Sequence, residues 1–229
     1  MEKGSGLKRL FSTLALLLAV TFGVVIYLAF QPQDLSDIEG YAKGDREGDP
    51  KAHEFLREAA MNHRSIVISE KELNSWLAEE LRCRQEGRAA EKLDVRIKGV
   101  WVRLSEIAGG RAEIIIEREI EGRPHTISMY LRVEREKRGN TWVTYVHKDG
   151  GSFLGLVPLG GRFGKTKVPQ GFLMFVKSSF ENLGGAYEEE LGWLEEEITR
   201  LGGGRIRVEE NQLRVEFSSQ ENVNSEVQL

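Results

Sequence analysis

The chain has 229 residues, 40% hydrophobic and 30% charged, a balance that suits one folded domain of ordinary size plus appendages and excludes disorder throughout. Lys and Arg number 32 against 36 Asp and Glu, a net charge of -4, so nucleic-acid binding by bulk phosphate neutralisation is not expected. The single cysteine, Cys83, excludes an internal disulfide and any cysteine-based zinc site.

From Leu10 to Phe30 the chain is apolar and carries no charge. At 1.5 Å per residue a helix of that length spans a hydrocarbon core of ~30 Å. A cleaved signal peptide is the rival, but the segment exceeds the usual apolar region and Tyr27 to Phe30 offer no small-residue cleavage site. The short leader carries Lys3, Lys8 and Arg9, so the expected topology is a cytoplasmic N-terminus (1–9), a transmembrane helix (10–30) and an exported remainder at the plasma (inner) membrane. Residues 31–50 are polar, acidic and turn-rich and read as a tether.

An exported α+β domain is expected over 51–217, followed by a polar, disordered tail over 218–229. Asp49 and Pro50 can open a short helix whose apolar face holds Phe55, Leu56, Ala59 and Ala60. A small strand from Ser65 to Ile68 leads to Ser69, which has capping-box spacing with Glu72. The helix so opened sets Leu73, Trp76, Leu77 and Leu81 on one face. From Leu93 the apolar period becomes two, broken at Gly99, where a bulge or bend is expected. Four consecutive antiparallel strands follow, ending near His147, with apolar residues on one face and Arg and Glu on the other. The implied architecture is a curved antiparallel sheet, meander plus C-terminal hairpin, packed by short amphipathic helices.

Residues 150–171 are rich in glycine and read as a long structured loop. Phe172 to Leu183 reads as a short helix. Tyr187, Leu191, Leu194, Ile198 and Leu201 mark a second amphipathic one, stopped by Gly202 to Gly204. Ile206 and Val208 then pair with Leu213, Val215 and Phe217 in a closing hairpin.

The chemical motifs are near misses. Gly164-Lys165-Thr166 ends like a phosphate-binding loop, but the first glycine of that motif is replaced by Leu159, and Val168-Pro169 interrupts the helix that should follow. Gly150-Gly151-Ser152 lacks the last glycine of a nucleophile elbow; a hydrolase would have to use Ser152 with His147, without an evident acid to orient them. His53, His63, His125 and His147 share no metal-ligand spacing, and no cofactor or metal is expected. The acidic runs 188–190 and 195–197 read as a solvated helix face. One stretch points outward: Arg162, Lys165, Lys167 and Lys177, with no intervening acid, interleave with Phe163, Phe172 and Phe175. Basic heads beside aromatic rings suit an anionic membrane surface, so these seven residues form a candidate membrane-facing lip.

Ile68-Ser69-Glu70-Lys71-Glu72-Leu73-Asn74-Ser75-Trp76-Leu77 and Gly155-Leu156-Val157-Pro158-Leu159 loosely resemble motifs of small bacterial membrane-anchored proteins that have been compared with the tubular lipid-binding superfamily. That resemblance implies a helix lying against a strongly curved sheet with a lipid in the apolar groove between them. Leu73, Trp76, Leu77 and Leu81 would line such a groove. The expected role is non-enzymatic: binding a lipid or another apolar envelope component. A protein-interaction or scaffold module is the alternative, and a hydrolase a third class.

Overall fold

The computed structural model describes residues 5–41, 58, 62, 65–84, 95–138, 141–180, 196 and 204–217. The expected helix over 51–60, the helix from Tyr187 to Leu201 and the tail lie outside the described residues, apart from isolated positions. The molecule is α+β, with an N-terminal apolar helix followed by a mostly antiparallel sheet domain.

The first helix, α1, runs Ser5–Phe30. Its segment Lys8–Phe30 has a mean hydropathy of 2.4 and is unburied by the rest of the chain, so it is long and apolar enough to cross a membrane. It stops where Gln31 precedes Pro32, because the proline ring disfavours helical backbone in the residue before it. The Gln31 N–H closes the last turn on the Leu28 carbonyl at 3.2 Å.

The acidic segment after α1 differs from the expected tether. Residues 31–41 lie against the sheet, with Leu35 and Ile38 buried. Both side chains pack with Trp101 and Ile115, and Tyr41 adds an edge-to-face contact with the Trp101 ring at 4.9 Å. Burial of Leu35 and Ile38 contributes roughly 1.5–3 kcal/mol each. Residues 42–50 lie outside the described part.

Strand β1 (Ile66–Ser69) leads directly into α2 (Glu70–Arg84). The capping box forms as expected. The Glu72 N–H donates to Ser69 Oγ at 3.2 Å, and Ser69 N–H donates to Glu72 Oε2 at 2.8 Å. The meander then consists of β2 (Val95–Ser105), β3 (Arg111–Ile120), β4 (Arg123–Arg138) and β5 (Thr141–Lys148). A register shift between Ile97 and Gly99 marks the expected bulge. A Cβ at Gly99 would lie 2.8 Å from Trp101 Nε1, so glycine there also seats the indole.

The expected loop over 150–171 instead contains three short strands: β6 (Ser152–Phe153), β7 (Val157–Phe163) and β8 (Thr166–Pro169). Its glycines serve close approach. A Cβ at Gly161 would sit 1.9 Å from the Ser128 carbonyl oxygen, and one at Gly160 would sit 2.5 Å from Gln170 Cα. A 3-10 helix, Gln170–Val176, follows. The last strands, β9 (Gly204–Glu209) and β10 (Gln212–Phe217), pair as read from the sequence, Val208 opposite Leu213 and Ile206 opposite Val215.

Seven strands form one sheet with the path β2-β3-β4-β7-β6, β5 also pairing with β4 and β8 with β7; β1-β10-β9 form a second, smaller sheet. The core lies on one face of the large sheet, where Val100, Val102, Leu104, Ile116, Ile127 and Val168 pack with Leu77, Leu173, Val176, Phe180 and Val208. The other face carries Glu113, Glu117, Ser128 and Tyr130 beside Ile115, and residues 31–41 cross it.

Among the described residues strand β2 ends the path of the large sheet, and backbone groups on the outer side of an edge strand need partners other than a neighbouring strand. Two buried polar residues of α2 meet them. Asn74, with no exposed surface, accepts from Val102 N–H at 2.6 Å and donates to the Val102 carbonyl at 2.9 Å and the Glu39 carbonyl at 3.1 Å. Glu70, also fully buried, accepts from Leu104 N–H at 2.6 Å and Glu39 N–H at 2.9 Å. Burial pushes the Glu70 carboxyl above the ordinary carboxylate range, while the two amides pull the other way. Glu70→Gln sets a donor against a backbone N–H and is expected to cost about 1–3 kcal/mol. Asn74→Asp, which faces a carboxylate with two carbonyls, should cost at least as much. Chemical-denaturation midpoints of the full chain in detergent micelles measure both.

Candidate functional site

The end of α1 is gripped by the turn between β7 and β8. Lys165 N–H donates to the Leu28 carbonyl at 3.0 Å, Thr166 Oγ1 donates to the Val25 carbonyl at 3.4 Å, and Gly164 N–H donates to the Thr126 carbonyl at 2.8 Å. The Leu28 carbonyl is one of those that a helix C-terminus leaves without an i+4 partner, and the bond to Thr126 ties the same turn to β4. Gly164 has φ +52, and a Cβ there would lie 2.2 Å from the Gln31 carbonyl oxygen and 2.5 Å from that of Ala29. Only glycine admits this approach. The Phe30 ring packs edge-on against His125 at 5.4 Å. Burial, followed by the charges of Arg118 and Arg123, holds the His125 imidazole below its ordinary pKa.

Beside this junction, on the polar face of the sheet, lies an open pocket of about 410 Å³ lined by Gln33, Asp34, Asp37, Arg103, Arg162 and Lys165. Arg103 is fixed by Glu113 at 2.7 Å, by Asp37 at 2.8 Å and by the Asp34 carbonyl at 3.0 Å. Glu113 is buried and also accepts from Ser128 Oγ at 2.6 Å. Arg162 Nε donates to Tyr130 Oη at 2.7 Å and lies 3.5 Å from Glu113. Burial, then the Glu113 charge, raises the Tyr130 hydroxyl above its ordinary pKa. Asp34 is held below the usual carboxylate range, first by its hydrogen bonds with Ser36, then by Lys165 and Arg103.

A second open pocket, about 510 Å³ and mostly apolar, is lined by Val157, Pro158, Pro169, Gln170, Gly171, Phe172, Met174 and Phe175. Phe172 and Phe175 meet edge-to-face at 6.1 Å, and Met174 and Phe175 are 71% and 72% exposed. The adjoining turn carries Leu154 and Leu156, 80% and 85% exposed, and Leu154 adopts φ +52. A leucine in left-handed backbone costs of order 1 kcal/mol or more.

The residues read from the sequence as one lip divide between the two pockets. Arg162 and Lys165 line the polar one, and Phe172 and Phe175 the apolar one; Lys167 and Lys177 are exposed, while Phe163 packs against the core. Leu77 is buried in the core and Leu73 and Trp76 pack against it; the Leu81 side chain lies outside the described residues. Ser152 is exposed on β6 and His147 is exposed on β5. Gln33, Asp34, Asp37, Arg103 and Glu113 escape sequence reading, because alternation places charges on a wet face and the acidic stretch looks unstructured. The available signal was the three-residue spacing of Leu35, Ile38 and Tyr41 within that stretch.

No protein-family model, curated protein or solved structure matches the chain. The geometry therefore stands alone. Gly164→Ala is expected to cost about 1–3 kcal/mol through strain at positive φ and displacement of the α1 end. Thermal unfolding of the full chain in micelles measures the loss, and faster amide exchange at Lys165 locates it.

Proposed function

We propose that this chain is a single-pass, membrane-anchored, non-enzymatic protein whose exported domain binds a lipid or another apolar envelope component. In this reading α1 sits in the plasma (inner) membrane with its N-terminus cytoplasmic, and the domain rests on the outer surface of that bilayer. The supporting observation is the apolar groove at Val157–Pro158 and Pro169–Phe175, with Leu154 and Leu156 projecting next to it. Leaving such side chains in water forgoes roughly 1.5–3 kcal/mol each, and contiguous exposed apolar surface marks binding to a membrane or partner. Lys167 and Lys177 add positive charge from neighbouring strand and helix positions, which favours an anionic surface.

Sheet curvature about the core face, and likeness to the tubular lipid-binding proteins, belong to this proposal and are not its support. Native mass spectrometry of the full chain, released from membranes in mild detergent, tests it. A stoichiometric co-purified lipid is expected, reduced about tenfold or more in the double variant Phe172→Glu, Phe175→Glu, since each removes apolar contact worth more than 1.4 kcal/mol. A lipid-free parent protein would overturn the reading and transfer the patch to a protein partner.

A further inference from the structure

The polar pocket sits where the headgroups of a bilayer spanned by α1 would be. Gln33 and Asp34 follow closely on Phe30, the last residue of α1, and Lys165 touches the helix end through its bond to the Leu28 carbonyl. The headgroup layer on each side of a bilayer is about 5–8 Å deep, and two to four extended residues cover about 7–13 Å. The pocket therefore opens at the hydrocarbon boundary and extends outward.

Its chemistry is balanced. Arg103, Arg162 and Lys165 face Asp34 and Asp37, with Glu113 beneath. A ligand carrying only negative charge would meet two carboxylates at the rim, and one carrying only positive charge would meet Lys165 and Arg162. Ser36 engages Asp34 through both its N–H, on Oδ1, and its hydroxyl, and Asp37 Oδ1 accepts from Arg103; the lone pairs that remain on the two carboxylates are available to a donor. An independent sign of a ligand is Gln33. It lines the pocket at only 7% exposure, and among the described residues neither its amide nitrogen nor its oxygen has a hydrogen-bond partner. Arg103 Nε is buried and unpartnered in the same way. Each such group costs about 1–3 kcal/mol unless something satisfies it.

We propose that this pocket is a headgroup site for a phospholipid bearing a primary ammonium, with the phosphate held by Arg162 and Lys165 and the ammonium by Asp34 and Asp37. A rotation of the Gln33 side chain into the pocket would then give its buried amide a donor and an acceptor in the same headgroup. This site deepens the lipid-binding reading and rests on it.

The test uses the full chain in detergent, stripped of lipid and titrated by native mass spectrometry with phosphatidylethanolamine, phosphatidylcholine and phosphatidylglycerol of identical acyl chains. Phosphatidylethanolamine is expected to bind about tenfold more tightly than the other two, the worth of one charge-assisted hydrogen bond. Lys165→Gln and Asp37→Asn should each weaken it about tenfold. Asp37→Asn, which removes a carboxylate from the ammonium, should also abolish the preference. Lys165→Gln, which acts on the phosphate common to all three lipids, should keep it, and Lys165→Arg should retain binding. The parent protein's preference among the three lipids needs no variant, so misfolding of a variant does not blunt the test. Equal affinity for the three lipids, or unchanged binding in both variants, would overturn the proposal. Displacement of the lipid by millimolar inorganic phosphate alone would also overturn it, since the site would then take a free anion. Loss of lipid only in the Phe172→Glu, Phe175→Glu variant would leave the groove standing and remove the pocket. Loss only in the pocket variants would do the reverse.

Discussion

Among the described residues no further strand pairs with the outer side of β2 at Val102 and Leu104, and the groups that meet those two residues set the rest of the arrangement. An edge strand exposes N–H and C=O groups at every second residue. Here Val102 and Leu104 meet Asn74 and Glu70 instead of another strand. The match is geometric: residues four apart on a helix rise about 6 Å, and residues two apart on a strand span about 6.6 Å. One helix face can therefore satisfy consecutive outward groups of a strand. The same two side chains use their remaining hydrogen-bonding capacity on Glu39, through its N–H and its carbonyl. Helix, strand edge and the segment leaving α1 are joined by one buried polar pair, and a group removed from it leaves others unpaired.

This joint explains why the acidic segment is ordered. With Glu39 fixed at one end, Leu35 and Ile38 reach Trp101 and Ile115, while Gln33 N–H reaches Thr126 Oγ1 at 2.8 Å. Thr126 in turn holds Gly164 through its carbonyl, and the Gly164–Lys165 turn grips the Leu28 carbonyl. A continuous set of contacts thus runs from α2 across the polar face of the sheet to the end of the apolar helix. It leaves no free spacer between helix and domain over residues 31–41. The polar pocket is a product of this arrangement, since Gln33, Asp34 and Asp37 form one wall and the sheet forms the other.

Elements governed by local chemistry were legible in the sequence. The Ser69–Glu72 capping box, the period-two strands, the Gly99 bulge and the final hairpin all depend on residues close together in the chain. Features set by distant partners were not. Glu70 and Asn74 look like ordinary polar positions on an amphipathic helix, and nothing near them announces β2. Gly160, Gly161 and Gly164 look like part of a long structured loop or a failed phosphate motif, because the backbones that crowd them come from β4, the 3-10 helix and α1. Arg103 and Glu113 take the phase of a solvated sheet face, and only the covering segment makes them part of a pocket. The apolar residues Phe172 and Phe175 were legible as candidates, but whether they face the core or solvent is decided by the packing of Leu173 and Val176 beside them.

Residues 31–41 are a docked part of the fold that seats the domain on the helix end. Amide hydrogen exchange of the full chain in lipid nanodiscs tests that docking most directly. The amides of Gln33, Ile38, Glu39 and Tyr41 donate to Thr126 Oγ1, Leu35 O, Glu70 Oε1 and Ile38 O, so they are predicted to exchange orders of magnitude more slowly than an unstructured chain. Exchange of all four at the unprotected rate, while the amides of β2 and β3 stay protected, would mean that residues 31–41 are not docked on the sheet.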